Sequence, residues 1–69
     1  MKRIPVESSC VAEIGYDPGQ QLLEVKLNRG TVYQYPDVSE DDYQAFVSAD
    51  SIGSYYQKVI SKLPFVRIQ

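Results

Sequence analysis

Histidine and tryptophan are absent from this 69-residue sequence, and cysteine and methionine occur once each. Each absence removes a chemistry. Without histidine there is no Ser-His or Cys-His nucleophile pair and no histidine-liganded zinc site. A single cysteine, Cys10, can neither close a disulfide within the chain nor build a thiolate metal cluster. Glycines 15, 19, 30 and 53 fit neither a phosphate-loop nor a dinucleotide-binding spacing. No apolar run approaches the roughly 18 residues of a membrane span, and no signal-peptide core is visible. The expectation is a cytoplasmic protein with no membrane contact, metal or cofactor. Paired carboxylates are the one catalytic option left, but Glu40, Asp41 and Asp42 are consecutive at a helix start and therefore splay around it. The chain reads as non-catalytic.

What is present describes one small globular domain over residues 1–69. With 43% hydrophobic and 23% charged residues, the composition is that of a folded chain rather than a disordered one. A domain of this size with no disulfide or metal depends on well-packed large side chains, and six Tyr with two Phe meet that need. Charge is segregated. Residues 37–50 carry Asp37, Glu40, Asp41, Asp42 and Asp50 without a base, while residues 51–69 carry Lys58, Lys62 and Arg67 without an acid. The formal net charge of −2 argues against a protein whose main work is gripping phosphate.

Hydrophobic periodicity predicts an α+β fold: a three-stranded antiparallel sheet over about 10–16, 22–27 and 31–35, covered on one face by helices over about 40–49 and 52–63. Ala12, Ile14 and Tyr16 alternate with Val11, Glu13 and Gly15 on the first strand. Asp17-Pro18-Gly19-Gln20 forms a turn, with Gly19 able to take positive φ. Two registers are open for the next hairpin. A two-residue Arg29-Gly30 loop places Tyr33 and Tyr35 opposite Lys26 and Glu24. A three-residue Asn28-Arg29-Gly30 loop places them beside Val25 and Leu23, which groups the apolar side chains. Ser39 suits an N-cap, with a staple of Val38 against Tyr43 and a first turn of acids. Ile52, Tyr55, Tyr56, Val59, Ile60 and Leu63 form the strongest helical stripe, stopped by Pro64. Short extended segments lie at both ends, Ile4-Pro5-Val6 and Phe65-Val66-Arg67-Ile68, the second able to add to a sheet edge.

Binding candidates follow from residue type. Tyr33 and Tyr35 share a strand face and can either stack bases, with Lys26, Arg29, Lys58 and Lys62 touching phosphates, or pack beneath the helices. Ser8, Ser9 and Ser51 can meet a ligand oxygen or satisfy nearby backbone groups. Cys10 reads as a small hydrophobe at the start of a strand.

In order along the chain, Ser8-Ser9, Ile14-Gly15-Tyr16-Asp17, Leu23-Glu24-Val25, Gly30, Tyr33-Gln34-Tyr35, Tyr43 and Ala49-Asp50-Ser51-Ile52-Gly53-Ser54-Tyr55-Tyr56 resemble the KTSC domain. That family is a short domain found alone in bacterial and phage proteins and at the C-terminus of some lysyl-tRNA synthetases, with a central Tyr-x-Tyr motif that falls here on Tyr33 and Tyr35. The likeness runs from about residue 6 to residue 60. One departure is Tyr56-Gln57, where members often carry Phe-Asn. The resemblance implies a domain without an assigned activity, for which RNA binding has been suggested from the synthetase association. From the residues themselves the expectation is a small non-catalytic binding module, foremost a protein-interaction domain that joins a partner by strand addition at a free sheet edge or through the apolar Phe65-Val66-Arg67-Ile68 tail, as a monomer or weak homo-oligomer. The alternative is an RNA-binding accessory domain, for tRNA or single-stranded RNA. A small-molecule pocket near Ser9, Tyr33 and Ser51 is a third possibility.

Overall fold

The structure, a computed structural model, describes residues 1–69. Five strands, β1 (Arg3–Pro5), β2 (Val11–Asp17), β3 (Leu22–Leu27), β4 (Val32–Tyr35) and β5 (Val66–Arg67), form one antiparallel sheet in sequential order. Helices α1 (Glu40–Val47) and α2 (Ile52–Lys58), with a 3-10 turn over Ile60–Lys62, follow β4 and cover one sheet face. The fold is α+β as expected, but the three-stranded sheet is corrected to five. Both terminal segments pair at the edges, Ile4 against Ile14 and Gln34 against Val66. Three residues and two residues are too short to show alternation, so periodicity had nothing to detect there. Their pairing satisfies backbone groups that open edges on β2 and β4 would leave bare.

The three-residue loop is the one adopted. Leu27 N–H donates to the Thr31 carbonyl at 2.8 Å, Gly30 lies at φ 97°, and Val25 and Leu23 pair with Tyr33 and Tyr35. The first turn differs from expectation, because positive φ falls on Gln21 (51°) and not on Gly19. Asp17 explains why: its carboxylate accepts from the N–H groups of Gly19 (2.9 Å) and Gln20 (3.3 Å), which sets the turn from its first residue. Simple alternation also fails at Val11. A register shift between Val11 and Glu13 forms a bulge, and Val11 joins Ile14 in the core.

Ser39 caps α1, its hydroxyl accepting from Asp42 N–H at 3.2 Å, and the helix ends at Val47 rather than near residue 49. Correspondingly, the continuous helix over 52–63 is corrected to seven residues of α2 plus the 3-10 turn. The break is at Val59 (φ −121°, ψ −62°), the first of two adjacent β-branched residues of weak helix propensity. Val59 consequently turns outward, 41% exposed, while Ile60 stays in the core at 1%. That core comprises Val11, Ile14, Leu23, Val25, Leu27, Tyr35, Val38, Phe46, Tyr56 and Ile60.

The uncovered sheet face is polar and tied together. Arg3, Gly15, Glu24 and Gln34 occupy one cross-strand row. Arg3 Nη1 meets Glu24 Oε2 at 2.7 Å, its Nε meets Glu13 Oε1 at 2.9 Å, and Gln34 Nε2 donates to Glu24 Oε1 at 2.8 Å. Gly15 makes the crossing possible, since a Cβ there would lie 3.0 Å from Arg3 Cγ and 3.0 Å from the Lys2 carbonyl.

Candidate functional site

Where the β3–β4 hairpin meets α2, the covered face of the sheet is left partly open. A cleft of about 340 Å³ forms there, walled by Tyr33, Tyr35, Tyr56 and Phe65, with Arg29, Gln57 and Ser61 among its lining residues. Strand register explains half of it. Tyr33 and Tyr35 project to the helix side, and Arg29 sits in the three-residue loop just beyond the strands. Tyr56, Gln57 and Ser61 come from the opposite wall, and Phe65 follows the 3-10 turn to stand edge-on to Tyr33, ring centroids 5.0 Å apart. A second cleft of about 220 Å³ adjoins it and shares Cys10, Leu27 and Arg29.

At the base, the Tyr35 and Tyr56 hydroxyls are 2.8 Å apart and hydrogen-bond to each other. Burial, reinforced by that bond, pushes Tyr35 far above the usual tyrosine range. Burial also raises Tyr56, outweighing the opposing effects of the bond from Tyr35 and the Arg29 charge. Both hydroxyls therefore stay protonated at neutral pH. At the rim, Arg29 Nε donates to Thr31 Oγ1 (3.2 Å) and its Nη2 to the Tyr33 hydroxyl (3.3 Å). Neither acceptor is charged, and the ion pairs of the protein belong to Arg3.

The residues singled out from sequence are not gathered into one place. Tyr33 is half-buried on the cleft wall, whereas Tyr35 is 1% exposed, with its ring in the core and its hydroxyl on Tyr56. Arg29 is at the rim. Lys26 lies on the opposite sheet face, in register with Glu13 and Val32. Lys58 and Lys62 are exposed at the ends of α2 and the 3-10 turn, outside the lining. Ser8 is engaged by the backbone, accepting from the N–H groups of Cys10 and Val11, both at 3.2 Å. Ser51 likewise caps α2 through Ser54 N–H at 3.2 Å. Ser9 is exposed and lines the second cleft. Sequence reasoning misses Cys10, Tyr56, Gln57 and Ser61 as site residues, and names Phe65 only as part of an interacting tail. Gln57 and Ser61 carried a usable signal: they are one helical turn apart, next to the apolar stripe. Phe65 stood out only as the first residue of an apolar tail, because its place on the cleft wall depends on β5 pairing. No three His, Cys, Asp or Glu side chains converge anywhere, and no helix is long and apolar enough to cross a membrane.

Known proteins resemble this chain in sequence and fold. The crystal structure of a KTSC domain protein from Yersinia pestis superposes with a TM-score of 0.89 at 40% identity, covering 99% of this chain and 97% of that one. An uncharacterized protein of Stutzerimonas stutzeri is 42% identical over 59 residues, 86% of this chain and 83% of its own length. A protein of Tsukamurella paurometabola is 32% identical over 56 residues, 81% of this chain and 84% of its own length. The KTSC domain profile matches residues 7–63, which span β2 through the 3-10 turn and leave both edge strands outside. The chain belongs to the KTSC domain family.

Proposed function

We propose that this protein is a non-catalytic interaction module that receives a segment of another protein in the cleft between the β3–β4 hairpin and α2. One observation carries the reading: the cleft combines an aromatic wall with a cation that no acid of the protein neutralises. Aromatic and Arg side chains in a partly dry depression are the composition of protein-binding hot spots. The sheet edges offer a partner less. β1 is three residues long and contains Pro5, and β5, the chain's own tail paired to β4, is only two residues long. Short, proline-bearing edges discourage strand addition. A nucleic-acid role draws less support, because Tyr35 has no exposed face for a base and Lys26 is on the other side of the sheet. The unpaired Cys10 suits a reducing compartment such as the cytoplasm.

Photo-crosslinking in cells tests this. A photoreactive residue at Gln57, in the cleft, is expected to give a discrete protein adduct that weakens in an Arg29→Gln background, and one at Lys26 is expected to give none. Equal adducts from both positions, or adducts to RNA alone, would remove the reading.

A further inference from the structure

The donors of the cleft select a particular kind of group. Arg29 is exposed yet held at two points, and its remaining N–H groups have no acceptor in the protein. Tyr35 and Tyr56 carry two hydroxyl protons between them but share a single hydrogen bond. Whichever hydroxyl donates, one O–H is left without a protein acceptor at the base of the cleft. Neither cleft is lined by Asp or Glu, although the protein as a whole is net negative. Residues 51–69, which supply one wall, are basic without an acid. A guanidinium at the rim, a neutral hydroxyl donor below it and aromatic rings beside both complement an oxyanion attached to an apolar body.

The volume narrows the class. At about 340 Å³ the cleft lies at the small end of the roughly 300–1,000 Å³ range of ligand sites. It accommodates a chain end better than a continuous strand. We propose that the cleft anchors the C-terminal carboxylate of a partner polypeptide whose last side chain is apolar, with Arg29 and the Tyr35–Tyr56 hydroxyl pair holding the carboxylate and Tyr33 and Phe65 flanking the side chain. Capture of a terminal carboxylate by convergent donors is an established mode of peptide recognition. This inference rests on the interaction-module reading and goes further by naming the anchoring group.

Isotope-labelled protein is titrated, with NMR detection, against acetyl-Ala-Leu-Phe as the free acid, the same peptide as its C-terminal amide, and phenylpropionate. The free acid is expected to shift resonances of Arg29, Tyr33, Gln57 and Ser61. The amide should bind about tenfold more weakly, the scale of one charge-assisted hydrogen bond, and phenylpropionate should move the same resonances with lower affinity than the peptide acid. Arg29→Gln, at an exposed loop position, is expected to weaken the acid by about tenfold and the amide by much less, so that the preference for the acid is lost. The double variant Tyr35→Phe/Tyr56→Phe removes the free O–H and should also weaken the acid selectively. Equal affinity for acid and amide would overturn the carboxylate anchor while leaving peptide binding standing. Tighter binding of phenylpropionate than of the peptide would overturn the polypeptide source. If no ligand shifts the cleft, the anchor falls, and crosslinking from Gln57 decides the interaction reading on its own.

Discussion

Gly53 shows how little room separates α2 from the loop before β2. A Cβ at Gly53 would lie 2.9 Å from Ser8 Oγ, 3.3 Å from Ser9 Oγ and 3.5 Å from Cys10 Sγ. Ser8 cannot yield freely, because its hydroxyl holds two backbone N–H groups. Gly53→Ala gains about 1 kcal/mol of helix propensity but must displace that hydroxyl, so urea denaturation is expected to show a net loss of about 1–2 kcal/mol, on the scale of overpacking. Recovery in a Gly53→Ala/Ser8→Ala double variant would confirm Ser8 as the obstacle, and an unchanged or raised stability for Gly53→Ala alone would refute it. The tyrosine pair behaves differently. Tyr56→Phe strands the Tyr35 hydroxyl in the core and should cost about 1–3 kcal/mol, the penalty for an unsatisfied buried polar group. Adding Tyr35→Phe removes the stranded group, so a double-mutant cycle should give strong positive coupling. Additive losses would mean that the two hydroxyls do not depend on each other.

Among the elements, the edge strands are where a short sequence has the largest consequence. β1 delivers Arg3 across Gly15 to Glu24, a carboxylate 7% exposed that also accepts from Gln34. Arg3→Ala leaves that near-buried charge without its cationic partner and is expected to lower stability by roughly 1–3 kcal/mol in chemical denaturation. A loss within experimental error would mean that solvent replaces the arginine. Arg3 lies outside the family match over residues 7–63, yet it closes the polar face of the matched sheet. Elements with enough residues to show a period were legible in place and type, though not in every detail, since the helix over 52–63 breaks at Val59 and β2 bulges after Val11. β3 has the expected bounds, and the choice of hairpin register followed from the side chains of Leu23, Val25, Tyr33 and Tyr35. Ser39 likewise announced its cap by residue type. The N-terminal edge strand was not legible as a sheet member, and the C-terminal one was legible only as an extended tail able to join a sheet edge, because pairing at a distance defines both rather than any local pattern. For the same reason the site was only half visible. Tyr33 and Arg29 stood out by type, but Tyr56 is indistinguishable from a core residue by spacing, and Phe65 reaches the cleft only through the fold of the tail.

At the scale of the whole molecule, the buried tyrosines make stability depend on alkaline pH. Burial raises Tyr35 and Tyr56 above the ordinary tyrosine range, and Tyr16 is raised as well, by burial first and then by Glu40, Asp17 and Asp42. In the unfolded chain all three titrate near the usual value of about 10. Above that pH the unfolded state has released protons that the folded state still holds, so unfolding becomes more favourable as pH rises. The contribution of these groups is therefore fully present below about pH 9 and is lost through the alkaline range, with a limiting slope near 1.4 kcal/mol per pH unit for each of Tyr35 and Tyr56 while it stays protonated in the folded protein. The Tyr35→Phe/Tyr56→Phe variant removes two of the three linked groups while preserving the ring packing of Tyr35 against Phe65 and of Phe46 against Tyr56. Stability measured by urea denaturation from pH 8 to 11 is expected to fall less steeply in that variant than in the parent, with the residual slope assigned to Tyr16. Curves that stay parallel across this range would show that the hydroxyl pair ionises as readily in the folded protein as in the unfolded chain, and the cleft would then present a phenolate rather than a donor to any carboxylate at high pH.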